Sequence, residues 1–163
     1  MTENKKQKGF TLIEILIVIG IIAILATIVI IAINPARQFA QARNTQRISN
    51  VNTILNAVGQ NIADNKGNLL TTTTCATLVA PGATSIPVAP TAALHIGTAN
   101  GLVNLSCLVP TYIPSAIPFD PTGGAVADTQ YTIQVDATGR YTICAPNGAE
   151  AAIAGSAAIC VTR

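Results

Sequence analysis

The sequence predicts an α+β protein: a long N-terminal helical spine, half transmembrane and half amphipathic, packed against a small antiparallel β-sheet head. Three observations lead there. Residues 10–33 are an almost unbroken apolar run, FTLIEILIVIGIIAILATIVIIAI. Apolar residues then recur at helical spacing from Ile48 to Ile62. Near the C-terminus, two alternating segments flank a turn, YTIQV-DATG-RYTICA.

The apolar run contains seventeen Leu, Ile, Val or Phe residues and one charge, Glu14. As a helix its 24 residues would span roughly 36 Å, enough to cross a hydrocarbon core of about 30 Å. Insertion of these side chains gains very roughly 5–10 kcal/mol, against about 3 kcal/mol for one acid in lipid. Lys5, Lys6 and Lys8 precede the run, with Glu3 as the acid among them. The rest of the chain holds six basic and six acidic side chains. The basic excess therefore lies wholly in the tail, which sets membrane orientation with the N-terminus in the cytoplasm and needs no nucleic-acid partner to explain it.

Asn34-Pro35 follows and weakens the helix, since proline removes a hydrogen bond and crowds the preceding turn. The spine is expected to run as one helix over about 10–65, with its weak point at Pro35. Ile48, Val51, Leu55, Val58 and Ile62 form an apolar stripe, with Gln41, Arg43, Gln46, Arg47 and Asn50 opposite. Asn65-Lys66-Gly67 suits a helix end, with glycine in the left-handed position.

Seven of the nine prolines lie between Pro81 and Pro121, so residues 67–130 read as a variable loop region with at most a short helix at 102–108. Residues 131–163 form the sheet: the hairpin, then a third strand at about 157–162. This sheet would cover the apolar stripe. The expected segments are 1–9, 10–33, 34–66, 67–130 and 131–163.

The four cysteines, Cys75, Cys107, Cys144 and Cys160, all follow the apolar run, and none lies in a C-x-x-C pair. With a single histidine, zinc is not indicated. An even count in an exported head favours two disulfides. Three pairings exist; Cys75–Cys107 with Cys144–Cys160 closes local loops and is preferred.

A secretory signal peptide has a shorter apolar core followed by a small-residue cleavage site; here Ala40-Gln41-Ala42 comes far too late. The stretch Lys8-Gly9-Phe10-Thr11-Leu12-Ile13-Glu14 instead resembles the class III signal of type IV pilins and type II secretion pseudopilins. That resemblance implies a cleaved leader, residues 1–9, removed by prepilin peptidase between Gly9 and Phe10. It also implies N-methylation of Phe10 and an assembly role for Glu14, which would neutralise the Phe10 amine of a neighbour. The precursor would be a single-pass inner-membrane protein. The mature form would lie in an extracellular pilus or a periplasmic pseudopilus. Its partners would be itself as a helical homo-polymer, prepilin peptidase, the assembly platform in the membrane, and minor pilins. The resemblance covers about the first 65 residues. Beyond them it is one of plan, although Ile113-Pro114 and Phe119-Asp120-Pro121 are similar to the loop before the sheet in major pseudopilins. The break at Pro35 departs from many pilins, whose proline lies nearer the membrane half.

The other candidates are weaker. His95 is expected alone in a loop, with no acid or cysteine beside it in sequence. Ser85, Ser106, Ser115 and Ser156 lie in no G-x-S-x-G setting, so no catalytic residues are assigned and an enzyme is not expected. Asp120, Asp128 and Asp136 are oxygen donors that calcium could use, but their spacing matches no EF-hand and turn formation explains them equally. No metal and no cofactor are assigned. Arg37, Arg43 and Arg47 form a small basic face, read first as solvated or intersubunit and second as weak DNA capture. Asn104-Leu105-Ser106 fits a glycosylation sequon that is common by chance. The rival to a structural subunit is a pilin-like adhesin or DNA-uptake receptor displayed on the filament.

Overall fold

The computed structural model describes residues 9–67, 69, 86–89, 92–99 and 101–163. It divides into two compact units, 1–38 and 39–163. Leader residues 1–8, the threonine run 71–74, Cys75 and Ser85 lie outside the described residues.

The first unit is built on helix α1, Leu12–Ile33. None of its 22 residues is buried, and an 18-residue stretch of it has a mean hydropathy of 3.4. A helix apolar on every side has no solvated face to offer, which is the pattern of a membrane span or a fully packed core. The 22 residues rise about 33 Å, enough for a bilayer core.

The spine is two helices, not one. Helix α2, Pro35–Asp64, begins directly after Asn34, whose φ of 48° places it in the left-handed region. Asparagine visits that region more cheaply than most side chains. Asn34 ends α1 and also starts α2, because its Oδ1 accepts from the Arg37 N–H at 3.3 Å. Pro35 then stands at the first helical position, where its missing N–H costs nothing. The proline therefore opens a helix here, and the break falls one residue earlier.

The second unit is a head built on most of α2. Val51, Ile54, Leu55, Ala57 and Val58 are buried in one cluster with Tyr131, Ile133, Ile143 and Ala145. The expected stripe is right at Val51, Leu55 and Val58 and wrong at Ile48, which is 47% exposed. The buried face continues N-terminally through Arg47 and Ala40 instead. The helix ends as expected: Lys66 and Gly67 take φ of 57° and 89°, and the Gly67 N–H reaches back to the Ile62 carbonyl at 2.9 Å.

Four strands form an antiparallel meander in chain order: β1 Leu94–His95, β2 Thr132–Val135, β3 Tyr141–Ala145 and β4 Ile159–Thr162. Odd-numbered residues of β2 to β4 (Ile133, Ile143, Ala145, Ile159, Val161) belong to the core or pack on it, as period-two alternation requires. The β2–β3 turn is held by Asp136, whose Oδ1 accepts from the Thr138 and Arg140 N–H groups; Gly139 supplies a φ of 85°. The sheet has one strand more than the sequence suggests. β1 lies inside the region read as loop, where its two residues pair with Ile133 and Thr132. The suggested helix at 102–108 is only a 3-10 turn, Ser106–Leu108.

Candidate functional site

Gly9 and Phe10 precede α1 in an exposed, non-helical stretch, with Phe10 81% exposed. Thr11 caps the helix. Its Oγ1 accepts from the Glu14 N–H at 3.3 Å, and the Glu14 carboxylate accepts in return from the Thr11 N–H at 3.5 Å. This reciprocal pair is a capping box, which satisfies two otherwise orphaned donors at a helix start. It also sets an anion against the positive end of the helix dipole. Glu14 thus has a structural role besides any role in assembly, and the Thr-x-x-Glu spacing at 11–14 carries its signal. The same fold-back brings the carboxylate to the backbone N–H of Thr11, the residue next to Phe10.

In the head, the arginines are not a free basic face. Arg47 is fully buried. Its Nε and Nη2 donate to the Asp120 carboxylate at 2.6 and 3.1 Å, and its Nη1 donates to Glu150 at 2.5 Å. Asn44 and Thr122 accept from it as well. Arg43 grips Glu150 through Nε and Nη2 at 2.7 and 2.6 Å. Helix α2 is thereby tied to the loop at Asp120 and to the segment after β3. Arg37 alone of the three remains exposed without a described ion pair, so the basis for DNA capture shrinks to one side chain.

Burial alone would raise the Asp120 carboxyl, but the hydrogen bonds from Arg47 and Thr122 outweigh it and hold the group at about 2. Glu150 is likewise lowered to about 2, chiefly by its hydrogen bond to Arg43 and then by that to Arg47. Both folded values lie below the ordinary 3.8 and 4.5. Their contribution is therefore complete above those values and lost as pH falls towards about 2. The melting temperature of the head should accordingly hold from neutral pH to about 5 and fall progressively between about 4 and 2. Calorimetry across that range checks this; a flat profile would contradict it.

His95 is not alone: it lies on β1, with Nδ1 3.0 Å from Asp128 Oδ1. Asp120, Asp128 and Asp136 each accept from the backbone N–H two residues on, so all three make turns. Among the described residues, no three His, Cys, Asp or Glu side chains gather as a metal site would need. Ser106 and Asn104 close a turn together, the Asn104 Oδ1 accepting from the Ser106 N–H at 2.9 Å.

Cys144 and Cys160 are cross-strand partners on β3 and β4 and form a disulfide. They lie on the sheet face away from the core, and Cys160 is exposed. The bond ties the last strand to the hairpin. Cys107 is also disulfide-bonded; Cys75, its expected partner, lies outside the described residues.

The prokaryotic N-terminal methylation motif matches residues 4–30. No curated protein and no solved structure matches the chain. The match points to a structural protein and fits a membrane-anchored precursor with one apolar N-terminal helix. From its basic tail through Gly9, Phe10 and Glu14 into α1, the chain carries the class III signal and methylation motif that are the hallmark of type IV pilins and pseudopilins.

Proposed function

We propose that this protein is a structural subunit of a type IV pilus or pseudopilus. It is made as a single-pass inner-membrane precursor with its N-terminus in the cytoplasm. Prepilin peptidase cuts between Gly9 and Phe10, Phe10 is N-methylated, and the assembly platform draws the mature chain into a helical homo-polymer. Minor pilins share that polymer. The reading rests on one observation above others: Gly9-Phe10 stands directly before a wholly exposed apolar helix whose single charge is Glu14. An acid in lipid is costly, and a neighbour's Phe10 amine would relieve that cost. The head adds two disulfides in this reading, Cys144–Cys160 and Cys75–Cys107, as suits an oxidising compartment.

Gly9→Val tests the processing step. Gly9 is exposed, and nothing lies within 4 Å of a Cβ placed on it. The substitution should therefore leave folding and insertion unchanged and act only on the protease. Immunoblotting should show the longer precursor accumulating in the membrane, with no chain in the sheared extracellular fraction. Normal filaments built from uncut chains would contradict the reading.

A further inference from the structure

A groove of about 460 Å³ lies in the head between the last turns of α2 and the end of the sheet where Tyr141 pairs with Arg163. Sites for small molecules commonly measure ~300–1,000 Å³ and have largely apolar walls. The lining here is of that kind: Leu55 and Val58 are buried, and Ile62 and Tyr141 pack on the same core. Gly59 lines it too. A glycine inside a helix lowers stability relative to alanine, and a close neighbour or a left-handed backbone usually accounts for it. Neither holds at Gly59. Its backbone is that of the helix, and nothing lies within 4 Å of a Cβ placed on it. What the missing side chain does is keep the groove open.

One end of the groove carries a cation. The main chain of Arg163 is fixed beside Tyr141, its N–H donating at 2.9 Å and its oxygen accepting at 2.7 Å. Its Nη1 donates to Asn56 Oδ1, so the guanidinium crosses from the sheet to α2. No described ion pair includes Arg163, and no Asp or Glu lines the groove. The Nε and Nη2 edge therefore has no described partner, and that edge can grip a carboxylate through two parallel hydrogen bonds. We propose that this groove binds a small aromatic carboxylate, its acid on Arg163 and its ring on the apolar floor beside Tyr141. The proposal goes beyond the filament reading and stands whether or not the chain assembles. Charge and lining together select the ligand. Inorganic phosphate would meet one cation and leave the apolar floor wet. A neutral ring would cover the floor and leave the guanidinium unanswered, and a cation would be repelled by it. Burial pushes the Tyr141 hydroxyl up, so at neutral pH it adds no negative charge against the acid.

The test uses the full-length chain in phosphatidylcholine nanodiscs, photolabelled with para-benzoylbenzoate and, separately, with its neutral amide. The acid should label saturably, with the modified residue between Leu55 and Ala63 or at Tyr141 by peptide mass spectrometry, and the amide at least about tenfold less at those positions. Arg163→Met removes the charge and Gly59→Phe fills the groove; each should cut that labelling at least about tenfold. Gly59→Ala leaves most of the space and should stay within about twofold of the wild type. Protease resistance of the head and an intact Cys144–Cys160 bond establish that each variant is folded. Equal labelling by acid and amide, labelling confined to α1, or wild-type labelling of either Arg163→Met or Gly59→Phe would overturn the site. None of these results bears on the filament reading, which the sheared fraction tests by itself.

Discussion

Replacing Glu14 with Leu should insert the helix better and abolish assembly. Removing the one charge from the apolar run favours insertion by about 3 kcal/mol on membrane-insertion scales. In a filament the same change leaves the Phe10 amine of each neighbour buried without a partner, at a cost of about 3–5 kcal/mol. Membrane levels should be equal or higher, cutting at Gly9 should persist, and the sheared fraction should collapse. The capping box makes a second variant informative. Glu14→Leu also breaks the Thr11–Glu14 cap, worth about 1 kcal/mol. Glu14→Gln keeps a side chain able to complete a capping box but carries no charge. If charge pairing drives assembly, both variants fail. If the cap matters more, Gln assembles and Leu does not. Quantitative immunoblots of sheared and membrane fractions separate these outcomes, and normal assembly of both variants would remove the mechanistic role given to Glu14.

The second large effect lies in the head. Arg47→Met removes the cation that Asp120 and Glu150 share. Glu150 keeps Arg43, but Asp120, 1% exposed, keeps only Thr122 among its described side-chain partners. A buried carboxylate without its cation typically costs about 3–5 kcal/mol. The melting temperature should drop by more than ten degrees or so for a head of this size. Adding Asp120→Asn should recover part of the loss, because the amide can still bond Thr122 and carries no charge to strand. An unchanged melting temperature in Arg47→Met would mean that the network contributes little.

These expectations differ in how far the sequence foretells them. Helix α1 is legible because an unbroken apolar run of its length has few other uses. The β2–β3 hairpin is legible because period-two alternation and an Asp-to-Gly turn are local signals. β4 is nearly so, its strand starting at Ile159, two residues after the expected position. β1 is not legible: two residues carry no alternation, and their pairing with β2 closes a loop of more than 30 residues. Arg47 misleads for a related reason. On an isolated helix an arginine reads as solvated, and only the fold brings Asp120, 73 positions away, beneath it. His95 and Asp128 meet across 33 positions in the same manner. The Asn34-Pro35 break combines two local signals, a left-handed asparagine and a proline at the first helical position. Reading Pro35 alone as the weak point places the break one residue late.

The most direct test of the central claim is the N-terminal peptide of this chain in sheared surface or pseudopilus material. Mass spectrometry should find it beginning at Phe10 with one added methyl group, and with no trace of residues 1–9. A chain that begins at Met1, or one cut downstream of α1 and so stripped of its apolar helix, would contradict the account.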